Sequence, residues 1–235
     1  MSYCKLFQIV RLVSFISLIS AMNAHASIVI TGTRVLYPAN DKEVTVQVSN
    51  KGSSPVLIQS WIDDGDTQTS PDKIHVPFIL TPPINRVEPS SGQTLRIRAT
   101  ANTLPTDRES VFWLNVLEIP ATPKEEKQKG VNYIQVAFRN RIKLFWRPEG
   151  LKDTAGAAAK KLIWSRSGSK LHVKNPTPYF VSLASINVGG DTIDGNMLAP
   201  FSDDDYKLSP RSGSNLSFLF VNDYGALVKV DNVIK

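Results

Sequence analysis

Cysteine is almost missing from this chain: its 235 residues hold one, Cys4, close to the start. A lone cysteine closes no internal disulfide, so the fold must be held by burial. Histidine is nearly as scarce, and neither His75 nor His172 stands at a catalytic or metal-ligand spacing. No Gly-rich phosphate loop is present, and Gly189-Gly190 reads as a turn between strands. Asp203-Asp204-Asp205 carries enough charge to draw a cation but reads more simply as an exposed acidic loop. Long amphipathic helices are lacking too. The best candidate is 153–162, whose alanines suit a short turn or a linker equally. These absences argue against an enzyme, and no cofactor or metal is expected.

At the start of the chain, Lys5 and Arg11 precede an apolar run over 12–21, which gives way to Ala24-His25-Ala26. A basic start, a short apolar core and a small-x-small terminus describe a secretory signal peptide. The run falls short of the roughly 20 apolar residues that a membrane helix needs. The expectation is a cleaved signal peptide over 1–26 and an exported chain beginning at Ser27, with neither cysteine nor a membrane span. The formal charge of +6 falls to +4 without Lys5 and Arg11. The remaining charges are scattered, so no nucleic-acid partner is expected. Phe145-Trp146-Arg147 interleaves aromatics with a cation, but export and strand geometry place it in a sandwich core.

The rest of the chain reads as strands. Val44, Val46 and Val48 alternate with Thr45 and Gln47, as Leu95 and Ile97 do with Arg96 and Arg98. Residues 111–119 follow the pattern more loosely. Turn residues punctuate these runs at Asn50-Lys51-Gly52, Asp64-Gly65-Asp66, Pro82-Pro83 and Ser91-Gly92. A longer strand is expected over 131–146, stopped by Arg147-Pro148-Glu149-Gly150. Further strands follow at 162–164, 170–174, 180–188, 215–220 and 227–230. The predicted fold is all-β, two immunoglobulin-like sandwiches over 27–147 and 148–235.

Within the long strand, Ile134, Val136 and Phe138 share one face. On pattern alone they read as ordinary sandwich core. The alternative is an apolar sheet edge preceded by the charged loop 124–130, open to pairing with another chain.

Several segments resemble one family. The run LPTDRESVFWLNVLEIPA at 104–121 is similar to the signature of PapD-like periplasmic pilus chaperones. Gly32-Thr33-Arg34-Val35, Thr81-Pro82-Pro83-Ile84 and Arg86-Val87-Glu88-Pro89 fit the same family in order and spacing. So do residues 141–148, Asn175-Pro176-Thr177-Pro178-Tyr179 and Asn222-Asp223-Tyr224-Gly225.

The resemblance implies two domains set at an angle around a cleft, in a periplasmic protein that lends a strand to pilus or fimbrial subunits and passes them to an outer-membrane usher. By position it assigns strand donation to Asn132, Ile134, Val136 and Phe138. It assigns Arg34 and Lys143 to the anchor for the subunit's C-terminal carboxylate. Glu109, Arg147 and Asp223 correspond to a structural charge cluster between the domains. The short 120–130 segment and the lack of a cysteine pair resemble the short-loop type. A free apolar edge also raises the prospect of a self-capping homo-oligomer. The competing reading is a secreted immunoglobulin-like adhesin or carbohydrate-binding protein, which requires neither the two cations nor the apolar edge.

Overall fold

A computed structural model of the chain describes residues 27–100, 103–120, 136–209 and 213–234. The expected signal peptide and two expected donor residues, Asn132 and Ile134, lie outside them. Among the described residues, no helix is long and apolar enough to cross a membrane.

Alternation in the sequence becomes sheet. In β3 (Val44–Asn50), Val46 and Val48 are buried while Thr45 and Gln47 face solvent. This strand joins β1 (Ile28–Ile30), β7 (Gly92–Ala99) and β5 (Phe78–Thr81) in the order β1-β3-β7-β5. The facing sheet runs β2-β9-β8-β4-β6, built from β2 (Arg34–Pro38), β9 (Phe138–Arg147), β8 (Ser110–Pro120), β4 (Val56–Asp63) and β6 (Ile84–Val87). Tyr37, Leu95, Ile97, Leu114 and Leu144 fill the space between them with no solvent exposure.

The second half repeats the arrangement around its own core. One sheet holds β10 (Ile163–Ser167), β11 (Lys170–Lys174) and β15 (Asp203–Lys207). The other runs β13 (Asp191–Asp194), β12 (Val181–Val188), β16 (Asn215–Val221) and β17 (Leu227–Val233), with β14 (Met197–Leu198) also paired to β12. Trp164, Leu171, Ile186 and Phe218 occupy the centre. Between the halves, α1 (Ala155–Lys160) starts where the Thr154 hydroxyl accepts the Ala157 N–H at 3.2 Å.

Two expectations are corrected. Asp203, Asp204 and Asp205 form the start of β15 and not a loop. Asp205 there accepts from both Lys170 and His172 on the neighbouring strand, which settles its charge inside the sheet. Of the long strand expected over 131–146, the described part is β9 from Phe138, and Val136 lies ahead of it in irregular backbone. Continuing the β8 register would set Val136 opposite Pro120, which has no N–H to give.

One feature of the first half governs the rest. The chain changes sheets between β1 and β2, turning at Gly32 with φ +93°, a conformation that glycine enters without strain. β2 then runs parallel to β9, but covers it only from Lys143 to Arg147. Residues 138–142 of β9 pair with β8 on one side. On the other side no described strand pairs with them.

Candidate functional site

β9 pairs with β8 without a register break from Phe138 to Trp146, so its side chains alternate strictly. Leu144 and Trp146 enter the first core and Ile142 packs against it. Phe138 has the same parity but is 50 % exposed, and Val136 is 53 % exposed. Arg139, Arg141, Lys143, Phe145 and Arg147 take the opposite face. Phe145 is buried there because the second half supplies Phe180, ring to ring at 5.8 Å.

Arg34 and Lys143 are register partners across the parallel pair. The Arg34 Nη1 donates to the Val221 carbonyl at 3.0 Å, and its guanidinium lies 5.7 Å from the Phe145 ring centre. Its Nε is buried and has no hydrogen-bond partner among the described residues. The Lys143 Nζ reaches the Ser182 hydroxyl at 3.3 Å and lies 5.7 Å from the Trp113 ring centre. Burial lowers the affinity of Lys143 for its proton, and the Arg34 charge lowers it further. Burial also lowers Arg34, opposed by the charges of Asp223 and Glu109. The ion pairs of the described residues give neither cation a carboxylate partner. Two partly buried like charges side by side are costly unless something negative joins them.

The other charges of the cleft are matched. Arg147 donates from Nε to Glu109 at 2.6 Å and from both terminal nitrogens to Asp223 at 2.8 and 2.9 Å. Glu109 also accepts the Phe180 N–H at 2.8 Å, and its own N–H donates to the Pro178 carbonyl at 2.9 Å. Residues of both halves therefore meet at one arginine. Burial pulls the Glu109 carboxyl up, against the downward pull of Arg147 and the Phe180 N–H. Burial alone would lower Arg147, but Asp223 and Glu109 outweigh it and leave its proton held more tightly than usual. A tight backbone approach adds to the joint: at Gly225, φ +83°, a Cβ would overlap the Thr33 hydroxyl.

The structure thus brings Arg34 and Lys143 to one edge and Glu109, Arg147 and Asp223 to one cluster. Phe138 lies at the far end of the same strand. Sequence reasoning missed the second half's share of the cleft, namely Ser182, Phe180 and the Val221 carbonyl. It also missed a neighbouring group on the outer sheet face. There, buried Asp63 accepts from Arg141 at 2.5 Å and from Asn115 at 2.6 Å, and Arg141 stacks 4.2 Å from the Trp113 ring centre. The one signal for it was an aspartate closing an apolar strand run.

Comparison with known proteins settles the ancestry. Residues 27–152 match the family model for the pili and flagellar-assembly chaperone PapD N-terminal domain, and residues 157–232 match that for the pili assembly chaperone PapD C-terminal domain. The chain belongs to the PapD-like pilus-assembly chaperones. The chaperone protein FimB/FhaD of Bordetella pertussis is 46% identical over 213 residues, covering 87% of this chain and 86% of that protein. Chaperone protein MrkB of Klebsiella pneumoniae is 43% identical over 232 residues, covering 96% and 99%. Among solved structures, the Pseudomonas aeruginosa CupB2 chaperone superposes with a TM-score of 0.76 at 41% identity, covering 88% of this chaperone and all of that chain. The SafB chaperone of Salmonella enterica, solved in complex with the SafA pilin, gives 0.77 at 32% identity over 90% of this chaperone and 98% of that chain.

Proposed function

We propose that this chaperone captures pilus or fimbrial subunits in the periplasm by adding their terminal strand to the open edge of β9, and that it does so by binding alone, without catalysis. The observation that carries this reading is the Arg34–Lys143 pair, two partly buried cations with no carboxylate partner, at the point where β2 stops covering β9. A chain terminus answers that arrangement, since one carboxylate accepts charge-assisted hydrogen bonds from both cations.

Direction follows from the topology. A strand added ahead of β2, with its carboxylate at Arg34 and Lys143, must run parallel to both β2 and β9. Val136 and Phe138, already half exposed, then supply side chains to the subunit, and we assign Asn132 and Ile134 the same role. Each apolar side chain buried this way contributes about 1.5 to 3 kcal/mol. SafB, which resembles this chaperone throughout, has been solved with a pilin bound.

Delivery to an outer-membrane usher is the onward step we assign to the loaded complex. In the free protein the same edge is open to a second copy, and we propose self-capping there. The short 120–130 segment favours the short-loop type, which serves rod-forming pili.

The test is co-purification from periplasm of the wild type and the Arg34→Ala/Lys143→Ala double variant, each expressed with adjacent pilus-subunit genes. Subunit held by the wild type alone supports capture and the anchor. Equal recovery with both proteins would overturn the anchor, and recovery with neither, while both are folded and the subunits are made, would overturn capture of those subunits.

A further inference from the structure

Tyr224 is 93 % exposed, more than any other large apolar or aromatic side chain among the described residues. Its backbone is nevertheless braced. The Asn222 side-chain oxygen accepts the N–H of Tyr224 at 3.0 Å and of Ala226 at 2.9 Å. The Asn222 N–H donates to Ala226 and the Gly225 N–H donates to Asn222. Asp223 on one side is tied to Arg147, and Gly225 on the other rests on Thr33. The ring is held out in water by a loop fixed at both shoulders. Rigid aromatic side chains presented in this way supply large contact area at small entropic cost.

The position of the loop says what meets it. A strand added to the open edge of β9 has to stop at Arg34, because β2 begins there. Thr33 immediately precedes Arg34, and the loop packs on Thr33. The last residues of the added strand therefore arrive beside 222–226.

We infer that Tyr224 is a platform at the cleft rim which takes an apolar or aromatic side chain from the last two residues of the captured chain, while Arg34 and Lys143 hold its carboxylate. The inference rests on the strand-capture reading and adds to it. It makes the cleft a reader of the terminal side chains as well as of the terminal charge.

The test uses labelled 12-residue peptides of alternating Val and Thr. One ends in two phenylalanines and one in two alanines, and each is made as the free acid and as the amide. Binding is followed by fluorescence anisotropy to the wild type, Tyr224→Ala and Tyr224→Phe. The wild type should prefer the Phe-ended acid to the Ala-ended acid by about five- to tenfold, the scale of an aromatic pair. Tyr224→Ala should erase that ratio and Tyr224→Phe should keep it, with the melting temperature unchanged in both. An unchanged ratio in Tyr224→Ala, with acid still preferred to amide, overturns the platform and leaves the anchor standing. Equal binding of acid and amide by the wild type overturns the anchor, and the platform falls with it. No binding of either acid overturns both.

Discussion

Arg34 and Lys143 sit opposite one another across a parallel strand pair, on the same face, partly buried and without a carboxylate between them. In the same cleft the Arg147 charge is answered at once by Glu109 and Asp223. The contrast separates two uses of charge in one groove. One set holds the two sandwiches together and is complete without a partner. The other is left in mutual repulsion, which on the proposed reading a bound terminus would relieve.

For that reason, Arg34→Ala or Lys143→Ala should weaken capture of a terminal peptide by at least about thirtyfold. The change in melting temperature should be small by comparison, since the repulsion relieved is offset by the lost contact to the Val221 carbonyl or the Ser182 hydroxyl. Calorimetric binding and thermal unfolding on the same preparations check both halves. A loss of stability matching the loss of binding would make the cations structural.

Capture should also fail early at alkaline pH. Free Lys143 holds its proton less tightly than an ordinary lysine, because of burial and Arg34, whereas a bound carboxylate would strengthen that hold. Binding is therefore full below the lowered value and declines as pH rises through it, by up to tenfold per unit. In Lys143→Arg the decline should vanish, since a guanidinium stays charged. Affinity measured between neutral pH and pH 10 decides this.

Glu109→Ala should be the most damaging change in the bridge. Its side chain is 1 % exposed, and its removal leaves the Phe180 N–H without its acceptor and partly buried Arg147 with Asp223 alone. A loss of about 1 to 3 kcal/mol in urea unfolding is expected. Asp223→Ala, at a more exposed partner, should be milder but should widen the solution ensemble in small-angle scattering. Equal stability of all three proteins would remove the bridge from the account.

At Gly225, alanine should disturb the joint between the halves, both through its positive φ and through overlap with Thr33. Thr33→Ala, which removes the overlapping hydroxyl, should recover part of the loss. A double-mutant cycle with no coupling between the two positions would show that the close approach carries no strain.

Much of this was legible in the sequence, for reasons local to each strand. Val46 and Val48 alternate with polar neighbours, so β3 and its buried face follow from spacing alone. Phe145 shows where that logic stops. Its parity sets it with the cations, away from the first core, and only Phe180 from the second half explains its burial. Pattern along one strand carries no information about a partner contributed from 35 residues away. The open edge was legible only as an apolar run. Which side of β9 stays uncovered depends on the turn at Gly32, and a single Gly-Thr pair does not announce a change of sheet. The Asp63–Arg141–Asn115 group went unseen because its members come from three strands whose register no local signal fixes.

The halt of β2 at Arg34 turns the edge of β9 into a ruler. The proposed anchor would be its zero mark, and the pleat sets its graduations at about 3.3 Å per residue. A strand laid along it is read by counting back from its own end: odd positions fall on one face and even positions on the other. One uncharged residue inserted near a subunit's terminus would exchange every side chain ahead of it between faces while leaving net charge and terminal carboxylate unchanged. On the proposed reading, length would therefore be a specificity determinant in its own right, and a subunit would be refused for being a single residue out of phase.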